Sequence, residues 1–219
     1  LAFLDVHTQE IPAMTHSAPF HQPYPKPALN ELYNLLFADD PALFGRSAQN
    51  GTPFPLTAGH AADWMRAAAN ESLDSRWRLL AMRLLAAEGH PVPQKQVFGV
   101  VIEVPMEGGL DALAAYADGG VRFINHSGRA SIFEGATHPV AALGQQLVTA
   151  AQVLAQAIGP WEGQRPAPPT GNLTRINLLV SDGLYFGQAP FNALMSDAMG
   201  RPVLSKAVEL LQAVVRVAA

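Results

Sequence analysis

Tyr116, Asp118, Arg122, Asn125 and His126 crowd into one short stretch, Ala115 to Gly128, and their side chains are of the kinds that do chemistry. An imidazole with a free ring nitrogen is a general base for hydrolysis, and a guanidinium beside a phenol and a carboxylate can hold a polar ligand. Adjacency counts against part of this reading. His126 and Ser127 are neighbours in the chain, and neighbouring side chains at a turn are poorly placed to share a proton. Asp118 belongs to the preceding turn, at the far end of the strand that joins the two. Turn geometry also explains Asp118-Gly119-Gly120 and Asn125-His126-Ser127-Gly128 without any ligand, because tight hairpins select these residue types. The functional interest therefore narrows to Tyr116 and Arg122, expected to be exposed and close across the first hairpin. Glu103 and Glu134 lie in or beside apolar strands, and either one turned inward needs Arg122 or Arg175 as a partner.

Two other groups bear on ligand chemistry. His7, His16 and His21 are scattered among Pro12, Pro19, Pro23, Pro25 and Pro27. No helical spacing or carboxylate holds them on one face, so a docking arm is preferred over a metal site. Arg76, Arg78 and Arg83 project from much of the apolar stripe of a predicted helix. They read as a solvated face, with an anionic ligand as the alternative. The chain has no P-loop, dinucleotide fingerprint, HExxH, GxSxG or EF-hand pattern, and nothing calls for a cofactor or a metal.

Composition removes further classes. Over 219 residues, 49% hydrophobic and 15% charged content suits a chain with a substantial core. The formal net charge of −4 supplies no field for nucleic acid or anionic lipid, and the absence of cysteine excludes disulfides and thiolate chemistry. The longest uncharged run, Pro139 to Trp161, contains four glutamines, which argues against a membrane span. Cytoplasm is the default compartment, although the chain opens on Leu1 and a targeting segment can precede it.

The elements that must position these residues follow from periodicity. Residues 1–28 are expected to form an extended arm pinned by Phe20 and Tyr24, and 29–219 a single domain. Leu29, Leu32, Tyr33, Leu36 and Phe37 mark a helix that stops near Asp39-Asp40-Pro41, and Gly45 to Thr57 reads as loop. A second helix covers 58–70. A third covers 74–88, capped by Asp74, with Trp77, Leu80, Ala81, Leu84 and Leu85 inward. Gln96 to Val104 is a buried strand, and Leu110 to Phe133 continues it as a three-strand meander. The uncharged helix from Pro139 to Ile158 needs cover, either within the chain or from a second copy. The segment 161–172 is a covering linker, 175–188 a further hairpin, and 202–217 a closing amphipathic helix.

Grouped strands joined by hairpins make the class α+β, an antiparallel meander sheet of about six strands flanked by helices, loosely profilin-like or roadblock-like in element order. Tyr33 to Pro41, and Gly89 to Pro93 leading through Ala115-Tyr116-Ala117-Asp118-Gly119 to Arg122-Phe123-Ile124-Asn125-His126-Ser127-Gly128, resemble a family of uncharacterised bacterial proteins. That resemblance implies a bacterial source and brings no activity, cofactor or assigned site. The expected function is a non-catalytic domain working through protein contacts, with itself as a homodimer or with another protein. The alternative is a small-molecule binder or hydrolase with a pocket at one end of the meander, built from the five residues named first.

Overall fold

The computed structural model describes residues 18–48, 51–56 and 59–218. His7 and His16 lie outside the described residues, and so does most of the expected arm. Four helices come first: α1 (Pro27–Leu35), α2 (Pro41–Ser47), α3 (Ala61–Ala69) and α4 (Ser75–Ala87). Strands β1 (Val97–Met106), β2 (Gly109–Tyr116), β3 (Val121–Ile124) and β4 (Ala130–Phe133) follow. After α5 (Ala141–Ala157) come β5 (Leu173–Val180), β6 (Gly183–Pro190), α6 (Phe191–Ser196) and α7 (Gly200–Ala218).

All six strands form one open antiparallel sheet in the order β4-β3-β2-β1-β5-β6. The chain is thus α+β, as the grouping of strands predicts. Strand alternation divides the core in two. One face carries Phe98, Val101, Ala112, Ala114, Tyr116, Ile124 and Leu179, packed with Tyr33, Leu36, Phe37, Trp64, Leu79, Leu80 and Met82 of the N-terminal helices. The other carries Val100, Ile102, Leu113, Val121, Ile176, Leu178 and Tyr185 against α5 and α7. Gly99 is a fitted position: a Cβ there would stand 2.7 Å from the Tyr116 ring of the paired strand. Gly144 does the same for α5, where a Cβ would meet Val121 Cγ2 at 2.8 Å.

Several local expectations change. Asp39-Asp40-Pro41 ends one helix and starts another, because the Asp40 carboxylate accepts the Ala42 and Leu43 N–H groups and Pro41 needs no donor in the first turn. Gly45 to Ser47 is therefore helical. In α4 the buried side includes Leu79 and Met82, whereas Trp77 and Leu84 are half-buried. The segment before α1 is held by Tyr24, which is buried, while Phe20 is exposed. Polar clamps do most of that work: the Tyr24 N–H donates to Asn30 Oδ1, Asn30 Nδ2 returns a bond to the Tyr24 carbonyl, and the His21 N–H donates to Asn34 Oδ1.

The uncharged helix α5 is covered by the sheet and α7 along Ala141, Leu147, Val148, Ala151, Leu154 and Ala155. Its opposite side, including Gln145, Gln146, Thr149, Val153 and Gln156, is exposed. Gln152 has a structural role, since its side chain accepts the Val97 N–H and donates to the Lys95 carbonyl where the ladder is irregular. No helix among the described residues is long and apolar enough to cross a membrane.

Candidate functional site

The five residues singled out first divide between the two ends of β3. At one end, Tyr116 and Arg122 are buried, contrary to the expected exposure. Their burial follows from alternation: both point into the face covered by the N-terminal helices, with Phe98 and Tyr33. The Tyr116 hydroxyl donates to the Leu36 carbonyl at the end of α1, and its ring lies against the guanidinium groups of Arg76 and Arg122. Arg122 pairs with Glu134, one of the two partners the sequence offers it. Asp118 closes its own turn through the Gly120 N–H and also accepts the Ser75 N–H at 2.7 Å, while its own N–H donates to Ser75 Oγ. Asp118 therefore ties the hairpin to the first turn of α4, beside the Asp74 cap. The carboxyl of Asp74 is held below its usual range: burial opposes ionisation, but Arg76 and Arg122 outweigh it.

At the other end, Asn125 accepts the Arg129 N–H and the Ser127 hydroxyl within its own turn. His126 meets Asp111 through both its backbone N–H and Nδ1, at 2.7 and 2.8 Å. The Ser127 hydroxyl is engaged by Asn125 and not by His126. Asp118 and His126 share no hydrogen bond: Asp118 closes its own turn, whereas His126 is tied to Asp111 of β2. These two ends work as structural joints.

Glu134 is exposed, and the glutamate that does turn inward, Glu103, lies on the same sheet face. Glu103 accepts from the Tyr33 hydroxyl and, at 2.8 Å, from Asn177 Nδ2, with Arg175 Nη1 at 3.7 Å. Burial pushes its carboxyl upward, against those hydrogen bonds and the nearby Arg175. Arg175 is otherwise spent on Gln188 and the Ala167 carbonyl.

Beyond this network the linker 161–172, which accepts from Arg175 at the Ala167 carbonyl, places Arg165 against Asn34 of α1. Arg165 is buried, stacked 4.2 Å from the Phe37 ring centroid. Its Nε donates to Asp39 Oδ2 at 2.6 Å, and its Nη2 donates to Asn34 Oδ1 and the Pro19 carbonyl, both at 2.8 Å. Asp39 is delivered by a tight exit from α1 in which the buried Ala38 takes a φ of +50°, a left-handed conformation that costs an alanine about 1 kcal/mol or more. His21 Nε2 lies 3.2 Å from the Arg165 carbonyl, to which it donates.

A cleft of about 550 Å³ opens here, lined by Pro19, Asp39, Arg83, Trp161, Arg165 and Leu184 among others. Its polar atoms are incompletely matched. Arg83 retains partial exposure as a residue, yet its Nε and Nη2 are buried with no hydrogen-bond partner among the described residues. These two atoms form the side-on edge of the guanidinium, the same edge by which Arg76 grips Asp74 in this protein. Arg165 Nη1 and Asp39 Oδ1 are likewise buried and unmatched. Burial lowers the Arg83 pKa, with Asp39 opposing and Arg165 reinforcing the shift.

The expectation of a solvated arginine face on α4 is thus corrected. Arg76 pairs with Asp74, and Arg78 stacks on Phe98 and donates to the Ala68 carbonyl. Arg83 turns into the cleft. The cause is the wide apolar cover on this face: α4 is packed by α3 as well as the sheet, so residues beside its stripe remain under protein. Arg165 and Asp39 lay in a linker and a helix stop, where no periodic signal marks an inward residue. Among the described residues no group of three or more His, Cys, Asp or Glu side chains could hold a metal. No family model, curated protein or solved structure matches the chain.

Proposed function

We propose that this is a non-catalytic binding domain whose cleft between the α1–α2 connection, α4 and the 161–172 linker takes a small ligand bearing a carboxylate or similar anionic group. One observation carries the reading: Arg83 is among the residues lining a cleft, and its Nε and Nη2 edge lies buried in that wall with no hydrogen-bond partner among the described residues, so that a shift of the side chain presents the edge to a ligand. A planar guanidinium edge accepts two oxygens of one anion at once, the geometry for which arginine is preferred over lysine. A buried donor pair left empty costs stability, and an anionic ligand removes that cost. The volume suits a small organic molecule. Relative to the sequence-based alternative, the ligand-binding reading is retained and its place moves from the meander's ends to the Arg83 cleft.

The test is calorimetric titration of the protein and of Arg83→Met with 3-phenylpropanoate and with inorganic phosphate. Saturable binding of either anion that is abolished by Arg83→Met supports the reading. No binding to either, or equal binding to the variant, contradicts it.

A second reading, self-association as a homodimer, is favoured by the outward side of α5. Its exposed residues include Val153, two-thirds exposed, and none of them is charged. Two copies of such a face meet without burying or opposing a charge.

A further inference from the structure

The unmatched atoms of the residues that line the cleft are of both kinds, and all four are buried in its wall. Arg83 Nε, Arg83 Nη2 and Arg165 Nη1 are donors, whereas Asp39 Oδ1 is an acceptor on a carboxylate whose other oxygen is already held by Arg165. A plain anion satisfies the first three and leaves the fourth buried and empty. A cationic amine does the reverse.

The formal charges point the same way. Two guanidinium groups, Arg83 and Arg165, face two carboxylates, Asp39 in the wall and the exposed Glu162 at the rim. A cleft balanced in this way offers no excess of positive charge for a polyanion such as a di- or triphosphate, and Glu162 repels one. It matches a ligand that is itself neutral overall but carries separated charges.

The wall also provides apolar surface. Trp161 is about half exposed within the lining, and its ring is fixed edge-on to Phe186 at 5.2 Å between centroids, with Leu184 beside it. Its indole N–H is used on the Gln164 carbonyl, so the part left for a ligand is hydrocarbon.

Resting on the proposed anion-binding role of Arg83, we infer that the cleft's ligand is a free amino-acid-like zwitterion with an apolar side chain. Its entry shifts the wall side chains enough to uncover these atoms: its carboxylate then lies across the Arg83 edge near Arg165 Nη1, its ammonium donates to Asp39 Oδ1, and its side chain packs against Trp161 and Leu184. Each unmatched buried atom then has a partner of opposite character.

The experiment compares matched ligands that differ by one charged group. Phenylalanine, leucine and methionine are titrated calorimetrically into the full chain, each beside the acid lacking its amino group and the amine lacking its carboxylate. The expected result is binding of at least one amino acid about tenfold or more tighter than its deaminated acid, and no measurable binding of the amines. Asp39→Asn is expected to lower the ratio of amino-acid affinity to deaminated-acid affinity to about one, read as that ratio within the variant; an unchanged ratio contradicts the assignment of the ammonium to Asp39. Because Asp39 also holds Arg165, the variant is checked for cooperative unfolding, and the wild-type comparison stands without it.

Equal binding of an amino acid and its deaminated acid overturns the zwitterion assignment and leaves the anion site standing. Binding of none of the probes, with the cleft holding ordered water only, overturns both.

Discussion

Arg83 separates a structural from a functional explanation at the scale of a single residue. A buried guanidinium edge without partners destabilises the fold, so replacement by an apolar side chain of similar length should help it. In ligand-free protein, Arg83→Met is expected to raise the unfolding free energy by about 1–3 kcal/mol in urea titrations. A loss of stability would mean that Arg83 has fold-stabilising partners. Asp118 and Tyr116 behave in the opposite sense, since their atoms are matched within the fold. The residue types at the hairpin turns were readable in the sequence, but their partners were not. Asp118 reaches Ser75 and Tyr116 reaches Leu36, contacts between distant segments that no local pattern announces. The sequence offers Arg122 or Arg175 to whichever of Glu103 and Glu134 turns inward, without assigning the pairs: Glu103 is the inward one, with Arg175 at 3.7 Å, whereas the exposed Glu134 meets the buried Arg122.

Elements bring a second kind of constraint. The segment 18–26 lies across α1 and contributes Ala18 and Pro19 to the cleft, with His21 bonded to the Arg165 carbonyl. Burial lowers the His21 pKa, with the nearby Arg165 guanidinium adding to the shift and its carbonyl bond opposing it. The folded state therefore prefers the neutral ring. Its contribution is fully present above the unfolded value of 6.5 and is lost as pH falls from there through the lower folded value. Between about pH 7.5 and about pH 5.5 the wild-type protein should lose more stability than His21→Gln, as read by thermal unfolding. Parallel profiles would show that His21 does not link the segment to pH.

The outward side of α5 gives the other test at this scale. Light scattering of the wild type at about micromolar concentration should show a dimer that Val153→Glu converts to monomer. A wild-type monomer would remove the self-association reading. The sequence located α5 and its lack of charge correctly. What it could not show was that cover from the sheet and α7 stops short of the outer side.

Across the whole molecule, alternation and hairpin turns were enough to establish an α+β sheet, because β1 to β4 pair in chain order and turns of fixed type set their register. The candidate site was largely illegible. It forms where a helix side, a helix stop and a proline-rich linker meet, from residues 39, 83 and 165, and each has an ordinary local reading by itself. Of the three, only Arg83 carries a sequence signal for an anion, shared with Arg76 and Arg78, and no local pattern announces the contact of the linker with α1. The ligand-binding account rests on Arg83, so its most direct test is the Nε–H signal of that residue in nitrogen-15 spectra, assigned by its loss in Arg83→Met. On titration with phenylalanine and with 3-phenylpropanoate, the account predicts a saturable shift of the Arg83 signal and slower exchange of its proton with water. An Arg83 signal unmoved by either ligand at saturating concentration would contradict it.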